Sequence, residues 1–179
     1  FIIGHYGLLN HLRNPKNLWK VLSDLCDENT EFNDKLEIHL SGNIDAEALA
    51  EIEAYPQLKE KIKNLGYLSH AEVLKQYNEA SLLLLLLFNS KSGVGNYPGK
   101  VFEYFAAQKP ILSFGPEGSD TQSLINETKS GLFFNYDAED IKNDILNIFN
   151  GKNEFKTEGL EKFSREKLAK DLSILLSNL

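Results

Sequence analysis

Short apolar runs alternate with longer amphipathic stretches along the 179 residues. This pattern belongs to strands and helices wound into a mostly parallel sheet. The apolar runs predict strands near 1–7, 36–41, 63–66, 82–87, 110–114 and 132–135. Apolar positions at helical spacing predict helices near 15–28, 46–53, 70–79, 98–107, 120–127 and 138–149, with a last one over about 160–177. The run "SLLLLLLF" has no period-two alternation, so it belongs in mid-sheet, buried on both faces. Asn14 and Pro15 read as an N-cap followed by a first-turn proline, and Ser69 with Glu72 as a capping box. The expected fold class is α/β, a Rossmann-like three-layer domain with a mostly parallel sheet plus a C-terminal helix. Residues 1–179 are taken as one such domain, with "NGKNEFKTEG" as the one linker-like stretch before the terminal helix at 160–177. In that helix Leu160, Phe163, Leu168, Leu172, Leu175 and Leu176 form a stripe that calls for a packing partner, ordinarily the core.

Composition narrows the partners. A hydrophobic fraction of 42% is enough for a real core. The net charge of -7 argues against non-specific binding to nucleic acid or an anionic membrane, because both repel an acidic protein. Cys26 is the only cysteine, which excludes an internal disulfide and a cysteine-based zinc site and favours a reducing, cytoplasmic setting. The longest apolar run, Leu82 to Phe88, is too short to span a bilayer. A chain that opens on the strand-like "FIIGHYG" and contains no methionine is expected to be the C-terminal piece of something larger.

In open α/β sheets ligands bind beyond the carboxyl ends of the strands, at helix N-termini that offer free N–H groups and partial positive charge. Three places fit. In "YGLLNHLRNP", Gly7 ends a strand and Arg13 precedes a helix; its forked guanidinium suits a phosphate, although a surface arginine is an equally good reading. In "FNSKSGVGNYPGKVFEY", a Gly- and Ser-rich loop leads into a helix that carries Lys100 and Glu103 on one side, while Val101, Phe102, Phe105 and Ala106 point into the core. There lysine suits a phosphate and glutamate suits sugar hydroxyls; an exposed ion pair at i, i+3 is the plain alternative. In "NLGYLSHAEV", Tyr67 or the backbone beside it is placed to pack on a planar base, or simply to join the core.

The dinucleotide glycine fingerprint, the Walker phosphate loop and the nucleophile elbow are absent. His5, His11, His39 and His70 have no ligand-like spacing, so no metal site and no cofactor is expected; only His5 falls near a candidate site.

Taken in order, "GLLNHLRNPKNLWKVLSDL", "NLGYLSHAEVLKQYNEASLLLLL" and "GKVFEYFAAQKPILSFGPEGSD" resemble the C-terminal half of a GT-B fold glycosyltransferase of family 4 type, from about residue 1 to residue 135. The resemblance implies a nucleotide-sugar donor, most readily a UDP- or GDP-sugar, bound between this half and an N-terminal domain. That domain would hold a glycan or lipid-linked acceptor and any contact with the inner face of the membrane. By position, Gly7 resembles the loop at the donor diphosphate, and Arg13 the basic residue that neutralises the leaving group. Gly66 and Tyr67 resemble the turn that reads the base, and Glu103 the glutamate that binds the ribose. Lys100 occurs in relatives that read "GK-x-FEY". Where many relatives have a further glutamate near the sugar this chain has Gly95, which leaves Ser92, Gly93 and nearby backbone as sugar contacts. The activity implied is sugar transfer with retention, in polysaccharide or cell-surface glycan synthesis, by a half that is inactive alone. A nucleotide-sugar epimerase of the same fold and a non-catalytic binding module are the alternatives. The binding module predicts that Arg13, Lys100 and Glu103 do not converge.

Overall fold

The computed structural model describes residues 1–178; Leu179, the last residue of the expected domain, lies outside them. Six strands form one parallel sheet: β1 (Ile2–Tyr6), β2 (Glu37–Ser41), β3 (Ile62–Asn64), β4 (Leu82–Leu86), β5 (Ile111–Phe114) and β6 (Gly131–Phe134). Their order is β3-β2-β1-β4-β5-β6, so the chain reverses its direction of travel between β1 and β4. Such a switch point opens a crevice at the carboxyl ends of the two strands.

The central strand β4 explains the layering. All five of its residues are buried. Leu82, Leu84 and Leu86 enter one apolar layer, with Trp19 and Leu22 of α1 (Lys16–Glu28) and Ile145 of α8 (Lys142–Phe149). Leu83 and Leu85 enter the other, with Tyr77 of α5 (His70–Glu79) and Val101, Tyr104 and Phe105 of α6 (Lys100–Ala107). Successive strand side chains point to opposite faces, so an uninterrupted leucine run feeds both layers at once.

The remaining helices are α2 (Thr30–Lys35), α3 (Ala46–Glu53), α4 (Pro56–Lys59), α7 (Asp120–Thr128) and α9 (Arg165–Ser177). The short α2 and α4 lie in stretches where no helix is expected from spacing, since each is under two turns and too short to show a period. Ser69 and Glu72 form the capping box. Asn14 does not cap α1: its amide donates to Glu51 Oε2 at 2.7 Å and its carbonyl accepts from Trp19 Nε1 at 2.6 Å, leaving Pro15 at the cap position without a side-chain bond. Burial of the indole N–H requires an acceptor, and Asn14 supplies it. On α6, Val101 and Phe105 are core, but Phe102 and Ala106 are exposed, contrary to expectation.

The terminal helix also departs from its reading. Residues 160–163 form a separate 3-10 turn, and α9 has no buried residue; Leu168, Leu172, Leu175 and Leu176 are all more than half exposed. Among the described residues, no helix is long and apolar enough to cross a membrane.

Candidate functional site

The crevice at the switch point is bounded by the segment after β1, residues 7–13, and the segment after β4, residues 87–100. A backbone bond from Asn89 N–H to the Leu12 carbonyl, at 2.8 Å, joins them. Tyr136, just beyond β6, donates its hydroxyl to the Leu87 carbonyl at 2.6 Å and closes the far side.

Asn10 caps a 3-10 turn over His11–Arg13 by accepting from Leu12 N–H, which sets where Arg13 leaves the backbone. The Arg13 guanidinium lies over the Phe88 ring, its central carbon 3.7 Å from the centroid. Its Nε is buried and has no hydrogen-bond partner. Stacking of this kind holds the planar fork in one orientation while its donors stay uncommitted.

Lys100, the first residue of α6, reaches back over β1. Its Nζ occupies the space that a Cβ on Gly7 would fill. The ammonium is largely withdrawn from water and faces Arg13; burial first and that second cation next pull its pKa down to about 8, against a smaller opposing pull from Glu103. Beneath it His5 is fully buried, with Nδ1 3.1 Å from the Leu84 carbonyl and Nε2 3.2 Å from that of Leu8. Burial, and then Lys100, hold its pKa near 4, so the ring is neutral at physiological pH and donates to one of the two carbonyls. Among the described residues, neither Arg13 nor Lys100 forms an ion pair. Gly99 and Lys100 also have no acceptor for their N–H groups, which lie at the positive end of the α6 dipole.

Glu103 sits one turn further along α6, on the side that faces α5. Its Oε2 accepts from the Tyr77 hydroxyl at 3.0 Å, and its Oε1 lies 3.3 Å from His70 Nε2. His70 therefore lies against a candidate residue, a contact that its position in the sequence does not reveal. Gly66 and Tyr67 follow β3. The Gly66 carbonyl accepts from Gly42 N–H at 3.0 Å and from Ser41 Oγ at 2.8 Å, and Tyr67 is 92% exposed. Gly42 adopts φ 107° and packs its α-carbon against the Gly7 carbonyl, a conformation and an approach that a side chain would block. Backbone contacts thus tie the Gly66 turn to Gly7.

Ser92 and Gly93 lie in the loop that leads to α6. Ser92 Oγ bonds Ser90 Oγ at 2.8 Å. Gly93 is buried against the Phe88 carbonyl, and its N–H is donated to Ser90 O at 2.9 Å. Its glycine character therefore serves close packing beneath Arg13's platform, and its amide is already used. On the outer side of α6 a hollow of 610 Å³ is lined by Phe102, Glu103, Phe163, Arg165 and Leu168 among others. The candidate residues thus form two groups: Gly7, Arg13 and Lys100 at the switch point, with Glu103 one turn away, and Gly66 with Tyr67 at the end of β3.

No family model matches the sequence, and no curated protein matches it either. Solved structures do match. HepE from Anabaena, crystallised with UDP, aligns over 100% of this chain with a TM-score of 0.72 at 14% identity. The lipopolysaccharide outer core galactosyltransferase WaaB aligns over 99% with a TM-score of 0.68 at 15% identity. The chain shares their fold. The catalytic domain of the cholesterol-alpha-glucosyltransferase from Helicobacter pylori shares the fold too, with a TM-score of 0.62 at 16% identity over 85% of the present chain and 87% of its own. The present chain spans about half the length of HepE and WaaB, 49% of each.

Proposed function

We propose that this chain is the donor-binding half of a glycosyltransferase that moves a sugar, with retention, from a nucleotide-diphosphate sugar to an acceptor held by a second domain. One observation carries the reading: Arg13 and Lys100 share the switch point with no ion pair to either among the described residues, Glu103 giving Lys100 only a weaker opposing pull. Two neighbouring cations, one largely removed from water, repel each other and are costly to hold. A diphosphate relieves both costs.

In this reading the diphosphate lies over Gly7, against the open N–H groups of Gly99 and Lys100. Glu103 accepts from the ribose hydroxyls, and the Gly66–Tyr67 turn meets the base. The sugar lies towards the loop of Ser92 and Gly93. As the bond between the anomeric carbon and the diphosphate oxygen breaks, its electron pair stays on that oxygen. Arg13 and Lys100 stabilise the growing charge. The acceptor oxygen bonds to the anomeric carbon on the same face, and its proton ends on the released diphosphate. UDP- and GDP-sugars are the donors proposed, without an essential metal, and a glycan or lipid-linked molecule is the acceptor, in polysaccharide or cell-surface glycan synthesis.

Calorimetric titration with UDP, GDP and ADP, first without metal and then with magnesium, tests the reading. It expects one nucleotide to bind without metal, and Arg13→Ala or Glu103→Ala to weaken it by about tenfold or more. A folded protein that binds none of the three, or whose binding is indifferent to both substitutions, overturns it.

A further inference from the structure

Three buried tyrosines cross the layer between the sheet and the α5–α6 pair. Tyr77 packs edge-on against Tyr6 at 5.2 Å and against Tyr104 at 4.9 Å between ring centroids. All three are at most 3% exposed. A buried phenol needs a partner for its hydroxyl, and the ordinary solution is a backbone carbonyl. Two of the three take it: Tyr6 donates to Gln76 O at 3.2 Å, and Tyr104 to Leu84 O at 3.4 Å. Tyr77 alone ends on a carboxylate, Glu103 Oε2.

That bond fixes one oxygen of Glu103 through a ring that cannot move without disturbing two others. The second oxygen has, among the described residues, one hydrogen-bonding neighbour, the imidazole of His70, 70% exposed and at 3.3 Å, a long contact for a hydrogen bond. One carboxylate oxygen is therefore anchored, and the other is held by a side chain that water can replace.

We infer that Tyr77 is a positioning residue: it locks Glu103 so that Oε1 is presented to a vicinal diol, and His70 is the side chain that such a diol displaces. The inference rests on the donor reading above, which supplies the ribose as the diol. It adds a residue that touches no ligand and acts only by fixing the carboxylate. An anchored acceptor loses less rotamer freedom when it binds, which is how a buried phenol improves affinity without contact.

Tyr77→Phe keeps the ring packing and deletes the hydroxyl. Titrations with UDP and with 2′,3′-dideoxy-UDP should separate the roles. Tyr77→Phe is expected to weaken UDP by about tenfold, to leave the dideoxy nucleotide unchanged, and to add nothing in a Glu103→Gln background. His70→Ala should not weaken UDP. Equal loss for both nucleotides, or no loss for UDP, overturns the inference, and a weaker UDP complex in His70→Ala overturns the displacement. A ligand-free measurement keeps the positioning claim separate from the donor reading. Three-bond NMR couplings across χ1 of Glu103 should report one rotamer in the native protein and averaging in Tyr77→Phe. If the native protein binds GDP or ADP in place of UDP, the same pair of titrations is made with that nucleotide; if it binds none of the three, the donor reading fails and these couplings decide the positioning: averaging supports it, and an unchanged single rotamer overturns it.

Discussion

Lys100 Nζ rests over the α-carbon of Gly7, in the volume that a methyl group on that residue would take. The backbone of Gly7 is not in the left-handed region, so alanine fits its conformation. What must yield is the tip of a flexible side chain. Gly7→Ala is therefore expected to shift thermal stability by less than about 1 kcal/mol, yet to weaken nucleoside diphosphate binding by displacing the ammonium. A melting curve and a titration on the same sample check both halves.

Removing the charge reverses that balance. Lys100→Met fills similar volume without a desolvated cation, so it is expected to raise stability at pH 7 by about 1–2 kcal/mol and to abolish diphosphate binding. The native protein should show the same cost as pH dependence. The folded state holds the Lys100 proton less tightly than the unfolded chain does, so this group makes stability rise between pH about 8 and the ordinary value of 10.5. Diphosphate affinity should fall over the same rise. Denaturant unfolding and titration at pH 7, 8 and 9 test both directions.

Phe88 supports Arg13 from below. Phe88→Leu retains apolar bulk but loses the aromatic face, a difference of about 1 kcal/mol. A several-fold weaker diphosphate complex is expected, with little further loss when Phe88→Leu is added to Arg13→Ala. Additive losses in the double-mutant cycle would rule out the coupling.

The two candidate residues of the Ser92–Gly93 loop should part company. A Cβ on Gly93 collides with the Phe88 carbonyl and approaches Pro116 Cγ to 3.1 Å, both in a packed setting. Gly93→Ala is expected to destabilise by about 1–3 kcal/mol, whereas Ser92→Ala, on an exposed hydroxyl pair, should stay within about 0.5 kcal/mol. Chemical denaturation distinguishes them.

The apolar stripe of α9 is a stripe without a core. Leu172 and Leu175 are 55% and 62% exposed. Changing both to Gln, a good helix former, is expected to alter the melting free energy by less than about 0.5 kcal/mol per site. A larger loss measured on this chain would mean that the face is covered.

Periodicity reveals most of this fold because its signals are local. The Leu82–Leu87 run, the Ser69 and Glu72 cap and the long amphipathic helices each carry their own evidence. Asn14 shows where such evidence stops: its neighbour Pro15 makes a convincing helix start, but the demand of a buried indole outweighs the local preference. The candidate site divides in the same way. Glycines after strands and charges at a helix start point to Gly7, Arg13, Lys100 and Glu103. The supports, by contrast, come from tertiary packing: Phe88 under Arg13, Gly42 against Gly7, Tyr77 on Glu103. In the sequence Tyr77 is one more apolar position on a helix face, and Phe88 the end of a leucine run. Nothing in the spacing tells a hydroxyl that ends on a carboxylate from one that ends on a carbonyl.

His5 lies under the Lys100 ammonium with both ring nitrogens against carbonyls. Its pKa, near 4 when folded against an ordinary 6.5, means that the unfolded chain takes up a proton over that interval and the folded one does not. Stability conferred by the neutral ring is complete above pH 6.5 and is lost towards pH 4, a drop of roughly 3 kcal/mol. Mild acid should therefore loosen the carboxyl end of β1 well before the leucine layers, and amide exchange at pH 4.5 should be fastest there. One imidazole ties the acid tolerance of the fold to the same two cations that crowd it.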